Sequence, residues 1–153
     1  MSFTVPPRSL WLRWNAILCA VAIFIWSTPE EDRPIFAAGL GIWLALSLFA
    51  NWASGRYAGR VLHGARIFAA LGAAGAALGA AANLLAVLLM VFKDVRHAHP
   101  FPDFPPALLG ALLERLPAWA AAGLLFGLGI GFVAVARNRR LPDAASFTAP
   151  PVL

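Results

Sequence analysis

Charged residues are scarce in this chain, and acidic residues are scarcer than basic ones. Of the 153 residues, 12% are charged, against about 25% in an average soluble domain. The seven Asp and Glu are outnumbered by twelve Lys and Arg, and no acidic residue falls inside the long apolar stretches of the sequence. Ionisable groups buried in a membrane are typical of pumps, transporters and proton relays, so their absence here argues against those functions.

Cysteine is nearly absent as well. Cys19 is the single cysteine, and it lies inside the first apolar stretch. An intramolecular disulfide and a metal site built only from cysteines are therefore excluded. Long polar segments are also lacking, so we expect one domain over residues 1–140. Residues 146–153 have no helical pattern, and we predict a disordered tail over residues 141–153.

Long apolar runs dominate what is present. A helix of about 20 apolar residues can cross the hydrocarbon core of a bilayer. The sequence therefore predicts an all-α integral membrane protein, a four-helix bundle of transmembrane helices. The predicted spans cover about residues 10–27, 35–52, 65–92 and 117–136.

The distribution of arginine predicts the orientation of these spans. The N-terminal flank, the second loop and the C-terminal tail are basic, whereas the first loop, 27–34, is acidic. Because Lys and Arg accumulate on the cytoplasmic side, we predict that both termini face the cytoplasm. The expected location is the cytoplasmic membrane of a bacterial cell. Six arginines are expected to contact lipid headgroups: Arg56, Arg60, Arg66, Arg137, Arg139 and Arg140.

Small residues mark one face on each of two spans. Gly75 and Gly79 form a GxxxG pair in the third stretch, and Gly123, Gly127 and Gly131 follow one another four residues apart in the fourth. Small residues let membrane helices approach closely. We predict a tight helix–helix contact between these faces, either within one chain or between subunits.

The segment 93–106, on the predicted external side, concentrates histidine, aspartate and proline. His97, His99 and Asp103 offer ligands that suit zinc or copper, and a histidine paired with Asp103 suggests acid–base chemistry. Besides metal binding and acid–base chemistry, a third interpretation is that the segment is a proline-stiffened loop that caps the bundle. The sequence favours this structural interpretation, because two histidines at i and i+2 are a weak metal motif and no third histidine lies nearby. It implies no cofactor.

A leucine stripe follows this segment. Five leucines between Pro106 and Pro117 are expected to share one helical face: Leu108, Leu109, Leu112, Leu113 and Leu116. The stripe predicts a short helix in the outer membrane interface before the fourth span. Asn83, deep in the third span, is expected to face the bundle, because an unpaired amide is costly in hydrocarbon.

These features predict a small non-catalytic membrane protein, an accessory or assembly subunit or a self-associating scaffold of a membrane complex. Its expected partners are membrane lipids and other membrane subunits or further copies of itself, but not nucleic acid. Two alternatives stay open. One is a membrane enzyme or metal-binding protein that uses His97, His99 and Asp103. The other is an oligomeric channel or small-solute transporter.

Overall fold

Helices and two short strands make up the part of the chain that a computed structural model describes, residues 2–30, 33–98 and 100–146. Side chains are described over residues 4–30, 33–98 and 100–136. The elements in chain order are β1 (Ser2–Thr4), α1 (Leu10–Trp26), α2 (Pro34–Arg56), β2 (Val61–His63), α3 (Ala65–His97), α4 (Pro106–Glu114) and α5 (Leu116–Ser146).

Three of the helices are long and apolar enough to cross a membrane. They are α2, α3 and the segment Leu116–Ala136 of α5. The helix α1 is equally apolar but shorter, with 17 residues. The predicted helical membrane protein is thus confirmed at this level, with three helices that meet the length for a span.

The helix α3 extends beyond the predicted end of the third span. Its apolar run ends at Phe92, but the helix continues to His97 and stops where Ala98 adopts a left-handed conformation, with φ 51°. Such a residue is a common C-terminal helix signal. The polar side chains of this last turn have partners in the fold. The helix can therefore continue beyond the apolar run.

The helix α5 extends past the predicted end of the fourth span at residue 136. Its backbone is helical as far as Ser146, and residues 147–153 lie outside the described part of the chain. The predicted disordered tail, 141–153, thus overlaps the helix at residues 141–146, and for residues 147–153 it stays a prediction.

The helix α3 lies at the centre of the molecule, with α2 on one side and α5 on another, while α1 packs on α2. The approach of α2 to α3 is close at Gly41, where an added Cβ would lie 2.7 Å from the Ala82 carbonyl oxygen and from the Ala86 amide nitrogen. Glycine at this position therefore sets the distance between the two helices.

The contact between α3 and α5 is closer still. A Cβ built on Gly75 would overlap the carbonyl oxygen of Gly123, and one built on Gly79 would overlap the carbonyl oxygen of Trp119. The reverse also holds, because a Cβ on Gly123 would overlap the carbonyl oxygen of Gly75. The two backbones are thus in direct contact within one chain.

The remaining two glycines of the predicted face on α5 continue this contact. A Cβ on Gly127 would overlap the carbonyl oxygen of Leu71. At Gly131 the neighbour is a side chain, since an added Cβ would lie 3.1 Å from Cδ1 of Phe68. All five glycines therefore lie between α3 and α5, and four of them meet backbone.

The two strands join the N-terminal segment to the loop between α2 and α3. They pair antiparallel, with Ser2 opposite His63 and Thr4 opposite Val61. The sequence did not indicate this pairing, because strands of three residues have no detectable alternation. It places the N-terminal flank and the second loop at the same end of the bundle.

Candidate functional site

Polar side chains gather at the other end of the bundle, where the C-terminal ends of α1 and α3 meet the loop 98–105. We refer to this group as the end cluster. Its polar members are Ser27, Lys93, Asp94, Arg96, His97 and Asp103, and its aromatic members are Trp26 and Phe104.

Lys93 is the centre of the end cluster and is fully buried, with 0% of its surface exposed. Its ammonium nitrogen lies 5.0 Å from the ring centre of Trp26 and 5.8 Å from that of Phe104. The two rings are stacked with their centres 6.4 Å apart. A cation that is removed from water over aromatic faces gains about 2 kcal/mol or more per contact, so the rings stabilise the buried charge.

Asp94 fixes the loop that carries Phe104. One oxygen of its carboxylate accepts a hydrogen bond from the Phe104 backbone N–H at 3.1 Å. This bond holds the Phe104 ring, which is 0% exposed, in a core formed with Trp26, Leu89 and Met90. The charged residue that follows Lys93 in α3 therefore positions the ring that covers Lys93.

His97 links the loop to α1 through both of its ring nitrogens. Nδ1 lies 2.7 Å from Oδ2 of Asp103, and Nε2 lies 3.2 Å from the carbonyl oxygen of Ser27. Carboxylate and carbonyl oxygens both accept, so the two bonds form together when the imidazole carries two N–H groups. The side chains of His97 and Asp103 are each 11% exposed. Both ring nitrogens of His97 thus contact other parts of the same chain.

Arg96 adds a second link to α1. Its guanidinium donates to the Ser27 hydroxyl oxygen at 2.7 Å and lies 4.8 Å from the ring centre of Phe24. The Ser27 hydroxyl in turn donates to the Phe24 carbonyl oxygen at 2.9 Å. At the end of α1, the Phe24 carbonyl is thus paired by Ser27, and Ser27 is in turn contacted by Arg96 and His97 of α3.

The predicted metal ligands are brought together only in part. His97 and Asp103 are paired, whereas His99 lies outside the described residues. Over the described part of the chain, no group of three or more His, Cys, Asp or Glu side chains converges as metal ligands would. The proposal of a metal at this segment stays a prediction.

The predicted lipid-contacting arginines are distributed as follows. Arg56, Arg60 and Arg66 are exposed. For Arg137, Arg139 and Arg140 only the helical backbone is described.

A second polar network, which the sequence did not indicate, connects α1 to α2. The side-chain amide of Asn15 donates to the Ser47 hydroxyl oxygen at 2.7 Å, and the indole N–H of Trp43 donates to the Asn15 amide oxygen at 3.1 Å. One turn away, the Asn51 amide donates to the Ser47 carbonyl oxygen at 2.9 Å. These residues come from two separate stretches, and no spacing within either stretch reveals the pairing.

This network should be measurable as a coupling energy. We expect Asn15→Ala to destabilise the protein by about 1 kcal/mol, because interhelical hydrogen bonds in membranes contribute amounts of this order. In a double-mutant cycle, Asn15→Ala and Trp43→Phe should be coupled by about 0.6 kcal/mol or more. The matched control is Trp52→Phe, another tryptophan of α2. The measurement is equilibrium unfolding in detergent–SDS mixtures, and equal coupling for both tryptophans would contradict the hydrogen bond.

The Asn83 side chain makes a hydrogen bond to the backbone at the junction between α4 and α5. The two helices meet at Arg115, two residues before Pro117, and the Arg115 backbone N–H donates to the Leu112 carbonyl oxygen at 3.1 Å. The Asn83 amide, whose residue is 1% exposed, donates to the Leu112 carbonyl oxygen at 3.0 Å. Asn83 therefore faces the bundle, as the sequence predicted.

Three leucines of α4 pack inward against the C-terminal half of α3. Leu108, Leu109 and Leu112 contact the core around Phe104 and Met90. The stripe thus covers the C-terminal half of α3, while α5 covers its N-terminal half through the glycine contact. The predicted position of α4 in the membrane interface stays a prediction.

Comparison of the chain with protein-family models, with curated proteins and with solved structures finds no match. Functional inference therefore depends on the contacts described above.

Proposed function

We propose that this protein is a non-catalytic accessory or assembly subunit, or a self-associating scaffold, of a membrane complex. The observation that supports this best is where the polar groups of the helices point. Asn15, Ser47 and Asn83 bond to other parts of the same chain, and Lys93 is enclosed by aromatic rings. These polar groups thus contact other parts of the chain, and many large apolar side chains face outward.

The glycine faces narrow this proposal. Because Gly75 and Gly79 are covered by α5 of the same chain, a partner subunit or a second copy would have to bind elsewhere. The helix α1 is a candidate for such a surface, since Trp11, Trp14 and Phe24 are all more than half exposed. Lipid contact over the apolar helices is part of the same proposal.

In this proposal α1 is a fourth span, α4 lies near the outer interface, and both termini face the cytoplasm of a bacterial cell. The pairing of β1 with β2 supports a shared side for the N-terminal flank and the arginine-bearing second loop. The contact of Ser27 with Arg96 and His97 supports the opposite side for the first loop and the end cluster.

The test is purification from native membranes in a mild detergent. We expect a particle whose protein mass, measured by light scattering, exceeds the 16.3 kDa of one chain, or a stoichiometric co-purifying membrane protein. The control is the same preparation after transfer to SDS, which should release single chains. A strictly monomeric particle without a partner contradicts the proposal.

A second candidate, a metal-binding protein or membrane enzyme, is favoured by the 2.7 Å contact between His97 and Asp103. A carboxylate commonly orients a metal-binding histidine in this way. Metal analysis of the purified protein tests it, with His97→Ala and His99→Ala as the variants. A metal site predicts a stoichiometric metal that both variants lose, and a metal-free wild type together with histidine variants that have no phenotype rules this candidate out.

A further inference from the structure

An apolar groove of about 300 Å³ lies between α2 and α3. The wall on α2 carries mostly large side chains, and the wall on α3 carries two alanines and two leucines. The main lining residues are Leu48, Phe49, Trp52, Ala77, Ala81 and Leu85. The alanines of α3 give the groove its depth, because a larger residue at either position would fill it.

One end of the groove leads to arginine through a chain of aromatic contacts. Trp52 lines the groove and meets the ring of Tyr57 edge-on, with ring centres 5.3 Å apart. The guanidinium of Arg60 lies 5.2 Å from the centre of the Tyr57 ring. The groove therefore passes from hydrocarbon side chains to an aromatic pair and then to a cation, in the order of a lipid's chain, interface and headgroup.

The loop that carries these arginines is held in place by the N-terminal segment. The Val5 N–H donates to the Arg60 carbonyl oxygen at 3.1 Å, and the Gly59 N–H donates to the Val5 carbonyl oxygen at 3.0 Å. Gly59 has φ +75°, a conformation that glycine adopts without strain. The backbone of the Arg60 loop is thus fixed before any ligand binds.

The charge of this loop has one sign. Arg56 follows Trp52 by about one turn of α2, Arg56 and Arg60 are both exposed, and residues 53–66 include no Asp or Glu. An anionic group at this end of the groove would meet two guanidinium groups without a competing carboxylate from the loop. Guanidinium groups bind phosphate oxygens well because their donors match the geometry.

We propose that the groove and the arginine loop together bind one phospholipid with an anionic headgroup. One acyl chain lies in the groove against Trp52 and Ala81, and the phosphate lies between Arg56 and Arg60. A partner helix is a poor fit, because a helix with its side chains is about 10 Å across and the groove ends at charged residues. The inference goes beyond the proposed function and does not depend on it.

The test for the headgroup is lipid retention, measured by native mass spectrometry of the full chain released from nanodiscs. The nanodiscs contain equal parts of phosphatidylglycerol and phosphatidylcholine. We expect the wild type to retain phosphatidylglycerol preferentially. Each arginine near a membrane surface contributes roughly a fivefold preference for anionic lipid, so Arg56→Gln with Arg60→Gln should lower that preference about 25-fold. Arg115→Gln, an exposed arginine elsewhere, should leave it unchanged.

The test for the groove uses a substitution that leaves the charges intact. Ala81→Leu should reduce retention of both lipids, and Ala121→Leu, on the exposed side of α5, should not. Circular dichroism verifies folding, and Ala81→Leu decides alone if the arginine variants do not fold. Equal retention of the two lipids by the wild type overturns the proposal, as does an equal loss in Arg115→Gln. A photo-crosslinker at residue 81 that captures a polypeptide and no lipid also overturns it. None of these results depends on the oligomeric state, so the proposed function is tested separately.

Discussion

Gly75→Ala is expected to destabilise the protein by about 3 kcal/mol, at the upper end of what overpacking a core costs. The reason is that the added methyl group would overlap the carbonyl oxygen of Gly123. The obstacle is backbone, which cannot move aside as a side chain does, so α3 and α5 must separate along their contact. The loss of van der Waals contact matters more in a membrane, where helices gain no hydrophobic free energy from pairing with one another.

Gly129→Ala is the matched control for this prediction. Gly129 lies on α5, two residues from Gly127, but an added Cβ there meets nothing within 4 Å. Alanine is a better helix former than glycine by about 1 kcal/mol in water, so this variant should be as stable as the wild type or slightly more stable. The measurement is equilibrium unfolding in detergent–SDS mixtures. Equal stability of Gly75→Ala and Gly129→Ala would falsify the backbone contact.

The partner glycine gives an independent check. Gly123→Ala should also be destabilising, because its Cβ would overlap the carbonyl oxygen of Gly75. In the double variant the helices are already separated by the first methyl group. The double variant should therefore be destabilised by less than the sum of the two single variants, as expected for residues in direct contact.

These glycines also show which parts of the helix packing can be predicted from the sequence. Their spacing placed them on two helix faces, because residues four apart in a helix lie on one side. Spacing within a helix does not say which other helix covers the face. The choice between a contact inside the chain and one between subunits needed the position of α5, which follows from the short connection through α4 and from the fit of the two backbones.

The end cluster was harder to predict for a different reason. Hydropathy ends the third span at Phe92, because Lys93 and the residues after it are polar. The helix continues because those side chains find partners far away in the sequence: Trp26 covers Lys93, and Ser27 accepts from Arg96. Burial of a charge depends on such distant partners, and a single sequence does not identify them. The sequence did indicate that His97 and Asp103 lie in one polar segment, 93–106. In the structure these two side chains are in contact.

The burial of Lys93 leads to the second large prediction. Phe104→Ala is expected to destabilise the protein by about 3–5 kcal/mol, the usual cost of removing a fully buried phenylalanine. Phe104 is 0% exposed and packs on Trp26 and on the Lys93 ammonium group. Its removal leaves a cavity and also takes away one of the two rings that stabilise the buried cation.

Phe101→Ala is the control for Phe104→Ala, since Phe101 lies in the same loop but is 84% exposed. Its truncation should change the stability by no more than about 0.5 kcal/mol. Unfolding in detergent–SDS mixtures measures both variants. A loss of similar size in both would show that the loop as a whole, and not the Phe104 ring, supports this end of the bundle.

Lys93 itself provides a second readout, because it is the single lysine of the chain. An amine-reactive ester should modify this side chain slowly in the wild type and in Phe101→Ala, at a rate set by transient opening of the end cluster. In Phe104→Ala the ammonium group loses its cover and should react faster, which peptide mass spectrometry detects at one site. Rapid modification in the wild type would mean that the aromatic rings do not enclose Lys93. Slow modification in Phe104→Ala, despite the lost stability, would mean that other groups keep it buried.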